Sequence, residues 1–349
     1  MVLNFGDESL KPGLRIGVVY DFRNPPDSGI DNQSFYAEIL DQAVWLDGLG
    51  IDLIWFTEHH FVDDGHLPSW IPVAGAMAAR TRNVRFSSDI SVLPLYQPVR
   101  LAEDLAVLDN LSGGRVEIGV GLGYAPQDFA GYGMPASHRL SRTDEGLEIL
   151  RRCFSGERFS FTGKRYQAED VIIKPAYVQP GGPPLWVAAS GRDGALRAAR
   201  FNAHLLPQGP YKTTIQVWRD ALAAKGRDPD DYRVGIIKPC YVTDDKARDW
   251  PAVQASEDLR KAYYARTFEA AGRGPPPDQD RERISQCWVV GDVDHCVAEL
   301  SGFIHENGVT DLVTWAVPPG LRPNDVRTAL EQFATEVAPR LKAAAKAAV

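Results

Sequence analysis

The chain has 349 residues, of which 44% are hydrophobic and 24% charged, and its formal net charge is −8. This composition is typical of a globular protein, and a chain of this length buries a sizeable core without disulfide or metal support. The acidic balance argues against nucleic acid or an anionic membrane surface as a partner.

The cysteines and the apolar runs indicate the compartment. The four cysteines show no CxxC spacing, so we expect reduced thiols and no disulfide framework. The first residues show no basic stretch followed by an apolar one, and no apolar run reaches membrane-spanning length. We therefore expect a cytoplasmic protein.

Short β-branched and aromatic runs alternate with segments of helical periodicity. The first half of the chain predicts strands at 15–20, 53–57, 84–93 and 116–120, separated by helices at 34–49, 71–80 and 99–111. The second half predicts strands at 185–189, 203–206, 234–237 and 312–317. Alternation of this kind is typical of a parallel sheet, and eight strands match a (β/α)8 TIM barrel, with a doubly wound open sheet as the alternative.

Two segments interrupt this alternation. Residues 124–184 are long for one crossover, and residues 244–285 are polar, lack strand signals and contain a proline-rich run at 272–277. Long insertions of this kind are often functional lids. We interpret residues 1–349 as a single barrel domain with insertions near 124–184 and 244–285.

The second predicted strand ends in Glu58, His59 and His60. The carboxyl ends of barrel strands are where enzymes of this fold keep their chemistry. Side chains alternate along a strand, so both histidines can point inward only if the chain has already turned, which weakens a zinc interpretation. One inward histidine acting as a general base or hydrogen-bond donor is the more economical hypothesis, beside the alternative of a polar loop start.

Glycines alternate at 119, 121 and 123, where the fourth predicted strand ends. Glycine at these positions lets a ligand approach the backbone closely, or relieves crowding inside a barrel. A dinucleotide fingerprint is a weak interpretation, because Tyr124 stands next in the chain and the motif comes late.

A strand at 185–189 runs into Ser190, Gly191 and Arg192 and then a helical segment at 195–200. Free backbone N–H groups at a helix start, with a hydroxyl and a guanidinium nearby, suit a phosphate. An ordinary helix cap at Ser190 or Asp193 is the alternative.

Taken together these segments resemble the bacterial luciferase-like flavin monooxygenases. The resemblance is carried by WFTEHHF at 55–61, by SDISVLPLYQPVRLAEDLAVLDNLSGGRVEIGVGLGY at 88–124 with QDFAGYG following, by 161–190, and by GVTDLVTWAVP at 308–318. It implies a (β/α)8 barrel that uses reduced flavin and often pairs subunits through its early helices.

The resemblance also implies roles for individual residues. His59 matches the active-site histidine beside the flavin ring, where it binds, orients or moves a proton. Asp89 and Ile90 match a non-proline cis peptide against the isoalloxazine face, and the 190–192 turn matches the phosphate-binding turn. The predicted cofactor-binding residues are therefore Glu58, Asp89, Ile90, Gly121, Tyr124, Ser190, Gly191 and Arg192, with His59 catalytic.

The chain departs from bacterial luciferase at Leu122, where an arginine helps to hold the flavin phosphate in that enzyme. Some relatives use the deazaflavin coenzyme F-420 for hydride transfer. Deazaflavin dehydrogenases of this fold commonly carry an acid where this chain has Tyr124, and an Asp-His pair where it has Glu58-His59. These two positions favour reduced FMN and O2 over F-420.

Three functions follow as hypotheses. The first is a monooxygenase that receives reduced FMN from a separate flavin reductase and uses O2 to oxidise a small organic substrate. The second is an F-420-dependent oxidoreductase, and the third is a non-catalytic flavin-binding protein. A metal-dependent barrel hydrolase would need inward carboxylates or histidines at several strand ends, which the sequence does not offer. A homodimer is expected.

A monooxygenase of this kind must exclude water from its pocket. Candidate walls or lid are Trp70, Tyr96, Tyr124 and the 244–285 insertion. Ordinary core packing is the alternative for each aromatic side chain.

Overall fold

The computed structural model describes residues 13–272 and 287–347. The chain divides into two compact units. Unit one consists of Ser69–Gly123 and Phe129–Val234, and unit two of Gly13–Pro68, Tyr124–Asp128 and the described residues from Gly235 onward. The interpretation of the chain as a single domain stays a prediction.

Strands and helices alternate along most of the chain. The strands are β1 (Arg15–Tyr20), β2 (Leu53–Phe56), β3 (Arg85–Ser88), β4 (Ser91–Val92), β5 (Ile118–Gly121), β6 (Phe159–Thr162), β7 (Gln167–Val171), β8 (Leu185–Ala189), β9 (His204–Pro207), β10 (Gly235–Ile237), β11 (Cys240–Val242), β12 (Val289–Gly291) and β13 (Asp311–Trp315). The α-helices are α1 (Asn32–Gly48), α2 (Trp70–Ala78), α3 (Pro98–Ser112), α4 (Pro126–Gly131), α5 (Arg139–Phe154), α6 (Arg192–Arg200), α7 (Tyr211–Ala223), α8 (Lys246–Ala270), α9 (Val293–Asn307), α10 (Arg327–Gln332) and α11 (Ala338–Ala347). A π-helical segment, Phe333–Val337, joins the last two helices.

Each of the eight predicted strands overlaps an observed strand. One predicted strand, at 84–93, is observed as two. It is divided into β3 and β4 at the cis peptide between Asp89 and Ile90. An apolar run reports burial and not backbone direction, so the sequence pattern alone could not locate this break.

In unit two, parallel strands follow the order β10-β13-β1-β2. All four residues of β2 and all five of β13 are buried, as expected for parallel strands covered on both faces. Gly17 of β1 lies against Leu53 of β2, and a Cβ atom at residue 17 would overlap the Leu53 backbone and Cβ. Close approach of the two strands therefore requires glycine at this position.

In unit one, parallel strands follow the order β4-β5-β8-β9, and Phe86 of β3 forms a parallel bridge with Val116, two residues before β5. Glu117 ties these strands together, because its carboxylate accepts from the Trp186 indole at 2.8 Å and from Arg85 Nε at 2.5 Å. Both oxygens of this buried carboxylate are thus satisfied, and the bonds link β3 and β8 through the residue that precedes β5.

The two predicted insertions contain regular structure. Residues 124–184 include α4, α5 and the antiparallel hairpin β6-β7. Residues 246–270 form the 25-residue helix α8, while residues 273–286, including most of the proline-rich run, lie outside the described residues. Among the described helices, none is both long and apolar enough to cross a membrane.

Candidate functional site

Strand β2 ends at Phe56, so Glu58, His59 and His60 lie beyond the regular strand. Backbone bonds hold this segment in place: Thr57 N donates to Tyr20 O at 3.1 Å, and His59 N donates to Leu67 O at 3.3 Å. Glu58, His59 and His60 are all buried, with exposures of 3%, 7% and 5%. Both histidines are buried, and both lie beyond the last residue of the strand, where the alternation of side chains no longer applies.

His59 has a hydrogen-bond partner at each ring nitrogen. Its Nδ1 lies 3.3 Å from Asp128 Oδ2, and its Nε2 lies 3.4 Å from the Tyr124 hydroxyl. A carboxylate only accepts, so in the neutral imidazole Nδ1 carries the proton and Nε2 is the acceptor. Burial raises the pKa of Tyr124 well above its usual value, so its hydroxyl keeps its proton and donates to Nε2.

Asp128 and Glu58 fix the neighbouring histidine as well. Asp128 Oδ1 accepts from the His60 backbone N–H at 3.2 Å, and Glu58 Oε1 lies 3.1 Å from His60 Nε2. Asp128 thus orients His59 while anchoring the next residue. Glu58 contacts His60, and its predicted contact with a cofactor stays a prediction.

Aromatic rings surround His59 edge-on. Ring centroids of Tyr124, Tyr263 and Tyr264 lie 5.7, 5.7 and 5.9 Å from the imidazole. Tyr124 in turn stacks on Phe268 at 4.9 Å with an interplanar angle of 11°. Three of these rings come from α8, so the predicted insertion supplies the wall beside His59, while its action as a lid stays a prediction.

A polar cluster next to His59 was not predicted from the sequence. Asp21 and Arg23 follow β1, Asp64 and His66 lie between β2 and α2, and Arg260 belongs to α8. The His66 ring lies 4.8 Å from the His59 ring. The available signal was the position of Asp21 and Arg23, directly after the first predicted strand, on the end where barrel enzymes place functional residues.

In unit one, the peptide between Asp89 and Ile90 is cis, as the resemblance implies. The Asp89 side chain is buried, and its Oδ1 accepts from Gln208 Nε2 at 3.0 Å. Burial raises the pKa of Asp89 to about 7, and the Gln208 bond opposes the shift. Gln208 directly follows β9 and belongs to no motif that marks it in the sequence.

The glycine repeat packs against the segment that contains this cis peptide. A Cβ atom at Gly119 would overlap Ser88 O, and one at Gly121 would lie 2.7 Å from Ile90 Cδ1. Relief of crowding, the alternative raised from the sequence, thus accounts for both glycines. Contact between Gly121 and a cofactor stays a prediction.

The turn at 190–192 connects β8 to α6. The helix begins at Arg192 with Gly191 as its N-cap, and no side chain caps it. The alternative of a side-chain cap at Ser190 or Asp193 is therefore wrong, because Gly191 at the cap position has no side chain to accept from the helix. Ser190 and Arg192 are exposed, and the exposed Asp193 carboxylate lies in the first helical turn.

The other predicted aromatic walls differ in surroundings. Trp70 is fully buried in unit one, where its indole N–H donates to Ser91 Oγ at 2.7 Å, so core packing accounts for it. The Tyr96 carbonyl accepts from the Tyr166 hydroxyl at 3.0 Å. Within residues 13–272 and 287–347, no group of three or more His, Cys, Asp or Glu side chains is arranged to hold a metal ion.

Relatives of known sequence include a monooxygenase and an F420-dependent dehydrogenase. The chain is 29% identical to the uncharacterized protein y4vJ of Sinorhizobium fredii, over 60% of this chain and 61% of that protein. It is 26% identical to 4-hydroxyprotoasukamycin monooxygenase of Streptomyces nodosus, over 86% and 85% of the two chains. It is 27% identical to the F420-dependent glucose-6-phosphate dehydrogenase of Amycolatopsis mediterranei, over 88% and 95%. The match to y4vJ spans less than two thirds of that protein's length.

Solved structures confirm the predicted fold class, an α/β barrel of the luciferase-like type. Monooxygenase RslO1 from Streptomyces bottropensis superimposes with a TM-score of 0.82 at 24% identity, over 93% of this chain and 99% of that one. An F420-dependent secondary alcohol dehydrogenase superimposes with a TM-score of 0.76 at 20% identity, over 94% and 99%. The family model described as luciferase-like monooxygenase matches residues 14–311. The chain belongs to the luciferase-like monooxygenase family.

Proposed function

We propose that the protein is a flavin-dependent monooxygenase that uses reduced FMN and O2 to oxidise a small organic substrate. The observation that carries this proposal is the buried His59, held between Asp128 and Tyr124 beside a wall of aromatic rings. The sequence likeness to 4-hydroxyprotoasukamycin monooxygenase over most of both chains supports it.

The residues around His59 suit proton transfer in a dry environment. Asp128 keeps the proton of the neutral ring on Nδ1 and stabilises the imidazolium that forms when Nε2 takes up a proton. The Tyr124 hydroxyl, beside Nε2, orients that proton. The rings of Tyr263 and Tyr264 cover His59 and keep water away from it. Exclusion of water from an active site protects reactive intermediates from side reactions such as hydrolysis.

The residues of unit one partly fit the flavin. The uncapped start of α6, with Ser190 and Arg192, offers N–H, hydroxyl and guanidinium donors for a phosphate. Leu122 has no donor, so we assign the phosphate to this turn, and Asp89, Ile90 and Gly121 to the ring, as the family resemblance implies. When bound, the reduced flavin would supply the electrons that activate O2.

Hydride transfer with F-420 is the second candidate function. The specific observation in its favour is the 27% identity to an F420-dependent glucose-6-phosphate dehydrogenase over 88% of this chain. Tyr124 and Glu58 favour FMN. Deazaflavin dehydrogenases of this fold commonly carry an acid where this chain has Tyr124, and an aspartate where it has Glu58. A non-catalytic flavin-binding protein is the third candidate.

We further propose a separate flavin reductase as partner, a homodimer, and a cytoplasmic location. A dimer through the early helices is supported by Val107 and Leu111 of α3, whose side chains are 48% and 60% exposed. A reducing compartment is supported by the four free cysteines.

The first test is an anaerobic titration of the purified protein with reduced FMN and with reduced F-420, followed by a pulse of oxygen. The monooxygenase proposal expects tighter binding of FMN and an oxygen-dependent absorbance transient. Tighter binding of F-420 without such a transient would overturn it in favour of hydride transfer. Oxygen consumption without oxidation of any compound in a substrate panel would favour the flavin-binding protein.

A further inference from the structure

The turn after β1 has an uncommon backbone. Phe22 is buried and has a φ of 57°, in the left-handed region that bulky residues rarely adopt. Backbone outliers of this kind cluster at binding sites. Here the turn presents Asp21 and Arg23, 2% and 3% exposed, at the carboxyl end of β1.

Asp21, Arg23 and His66 each have one buried polar atom without a hydrogen-bond partner, namely Oδ2, Nη1 and Nδ1. The remaining polar atoms of each side chain are held. Asp21 Oδ1 accepts from Arg23 N at 3.1 Å, Arg23 Nε and Nη2 donate to Asp64 Oδ2 at 2.7 and 2.6 Å, and His66 Nε2 lies 2.8 Å from Thr57 Oγ1. Native proteins rarely leave such buried atoms unpaired, and each one requires an explanation.

The cluster borders His59 and the aromatic wall. The His66 ring lies 4.8 Å from the His59 ring and 6.3 Å from the Tyr263 ring. The Arg23 guanidinium carbon lies 5.1 Å from the centroid of Tyr263. Asp21 O accepts from Leu67 N, next to His66, at 2.9 Å. The unpaired atoms therefore belong to the surroundings of the proposed catalytic histidine.

The charges of the cluster restrict what it can bind. Arg23 is neutralised by Asp64, and Arg260 by Glu257, which accepts from two of its nitrogens at 2.8 and 2.6 Å. Asp21 adds a carboxyl group, so no positive charge is left over for an anionic ligand. The unpaired Arg23 Nη1 belongs to a cation and can only donate, so it disfavours binding of a ligand that carries an ammonium group.

A hydroxyl group has the hydrogen-bonding chemistry that Asp21 Oδ2 and Arg23 Nη1 require, since it both donates and accepts. Its hydrogen can be donated to Asp21 Oδ2, and its oxygen can accept from Arg23 Nη1. Burial lowers the pKa of His66 well below its usual value, so this ring is neutral and can serve as a further partner through Nδ1. The adjacent rings of Tyr263 and Tyr264 offer aromatic surface to the group that carries the hydroxyl.

We infer that Asp21, Arg23 and His66 form a binding site for a neutral hydroxyl group on an aromatic substrate. The inference rests on the proposed function, since it assigns the substrate class of that same site. Its residues bind and orient the substrate beside His59, and the hydroxyl replaces the missing partner of each buried atom.

The test compares the binding of four ring compounds to the full-length protein by ligand-observed NMR. p-Cresol both donates and accepts, 4-methylanisole only accepts, p-xylene does neither, and p-toluate is an anion. We expect p-cresol to bind at least about tenfold more tightly than the other three, the effect of a hydrogen bond to a charged group. Equal affinity for p-xylene or p-toluate, or no binding of p-cresol, would overturn the inference.

Asp21→Asn supplies the matched variant, because the amide keeps the size of the side chain and can place a donor where Oδ2 accepted. We expect it to lose the tenfold preference for p-cresol over p-xylene, whereas Asp249→Asn, the same change on α8 beside Arg248, retains it. Retention of the preference in Asp21→Asn would contradict the inference. If that variant does not fold, the comparison of compounds on the parent protein still decides.

Flavin titration of the same preparations separates this inference from the proposed function. Normal binding of reduced FMN with no preference for p-cresol would overturn the hydroxyl site alone. Failure to bind reduced FMN, with the p-cresol preference intact, would overturn the monooxygenase proposal and leave the hydroxyl site standing.

Discussion

His59 is the residue whose surroundings most limit its chemistry. Asp128 at one ring nitrogen and Tyr124 at the other leave the neutral ring one tautomer, with Nε2 as acceptor. WFTEHHF indicated a functional histidine at this position, but Asp128 lies 69 residues further along the chain. No local pattern of the sequence connects the two, which is why Asp128 could not be assigned from the sequence.

His59→Ala is expected to leave the fold and the affinity for reduced FMN nearly unchanged and to slow substrate oxidation by about 10²- to 10⁴-fold, the usual contribution of general acid–base catalysis. The measurement is the single-turnover rate after mixing the reduced complex with oxygen and substrate. His305→Ala, at an exposed position of α9, serves as the control and should react like the parent. Parental rates in His59→Ala would mean that the histidine has no catalytic role.

Asp89 gives a pH-dependent prediction. Its pKa is about 7 in the folded protein and has an ordinary value of 3.8, so the folded state binds the proton more tightly than the unfolded state. The protonated carboxyl therefore contributes to the free energy of unfolding. This contribution is fully present below pH 3.8 and is lost as the pH rises through 7. Asn does not titrate, so we expect the stability of Asp89→Asn relative to the parent to rise between about pH 4 and pH 7 by about 4 kcal/mol.

Urea unfolding of both proteins at several pH values measures this difference. Other groups titrate equally in the two proteins and cancel. A stability difference that stays constant from acidic to neutral pH would show that the Asp89 carboxyl is not perturbed in the folded state.

Among the elements, the strands were predicted from the sequence more accurately than helix α8. Strands such as β2 and β8 are continuous apolar runs, as expected for parallel strands that are covered on both faces. Helix α8 has buried residues scattered among charged ones along its 25 residues, so its periodicity is weak and the sequence suggested only a polar insertion and candidate lid. Its three aromatic side chains next to His59 and Tyr124 are positioned by tertiary contacts.

The contact between β1 and β2 yields a prediction at the same scale. Gly17→Ala is expected to destabilise the protein by about 1–3 kcal/mol or more, because the new Cβ would overlap the backbone of Leu53, which cannot move independently of its sheet. Denaturant unfolding measures the change.

Gly75→Ala in α2 is the matched control. Nothing lies within 4 Å of a Cβ atom built at Gly75, and alanine favours the helix, so this variant should gain about 0.5–1 kcal/mol. Equal effects of the two substitutions would contradict the proposed crowding between β1 and β2.

At the scale of the whole molecule, the four cysteines report on the integrity of the fold. Cys153, Cys240 and Cys296 are buried, while Cys287 is partly exposed. Burial also raises the pKa of Cys153 to about 12, which suppresses its reactive thiolate. We expect one thiol to react rapidly with a disulfide reagent in the native protein and four to react after denaturation. Rapid reaction of more than one native thiol would indicate that the buried cysteines are less tightly packed than the structure shows.

The sequence by itself determined the α/β class and the eight predicted strands, because burial on both faces of a parallel strand favours apolar residues along it. It also determined the segment that carries His59, because polar residues follow an apolar strand there. It also indicated the cis peptide at Asp89 and Ile90 through family resemblance. Only the tertiary structure decided the partners of His59 and the buried polar cluster at Asp21 and Arg23. Those contacts join residues distant in the chain, and hydrogen bonds between distant side chains leave no periodic signal in a sequence.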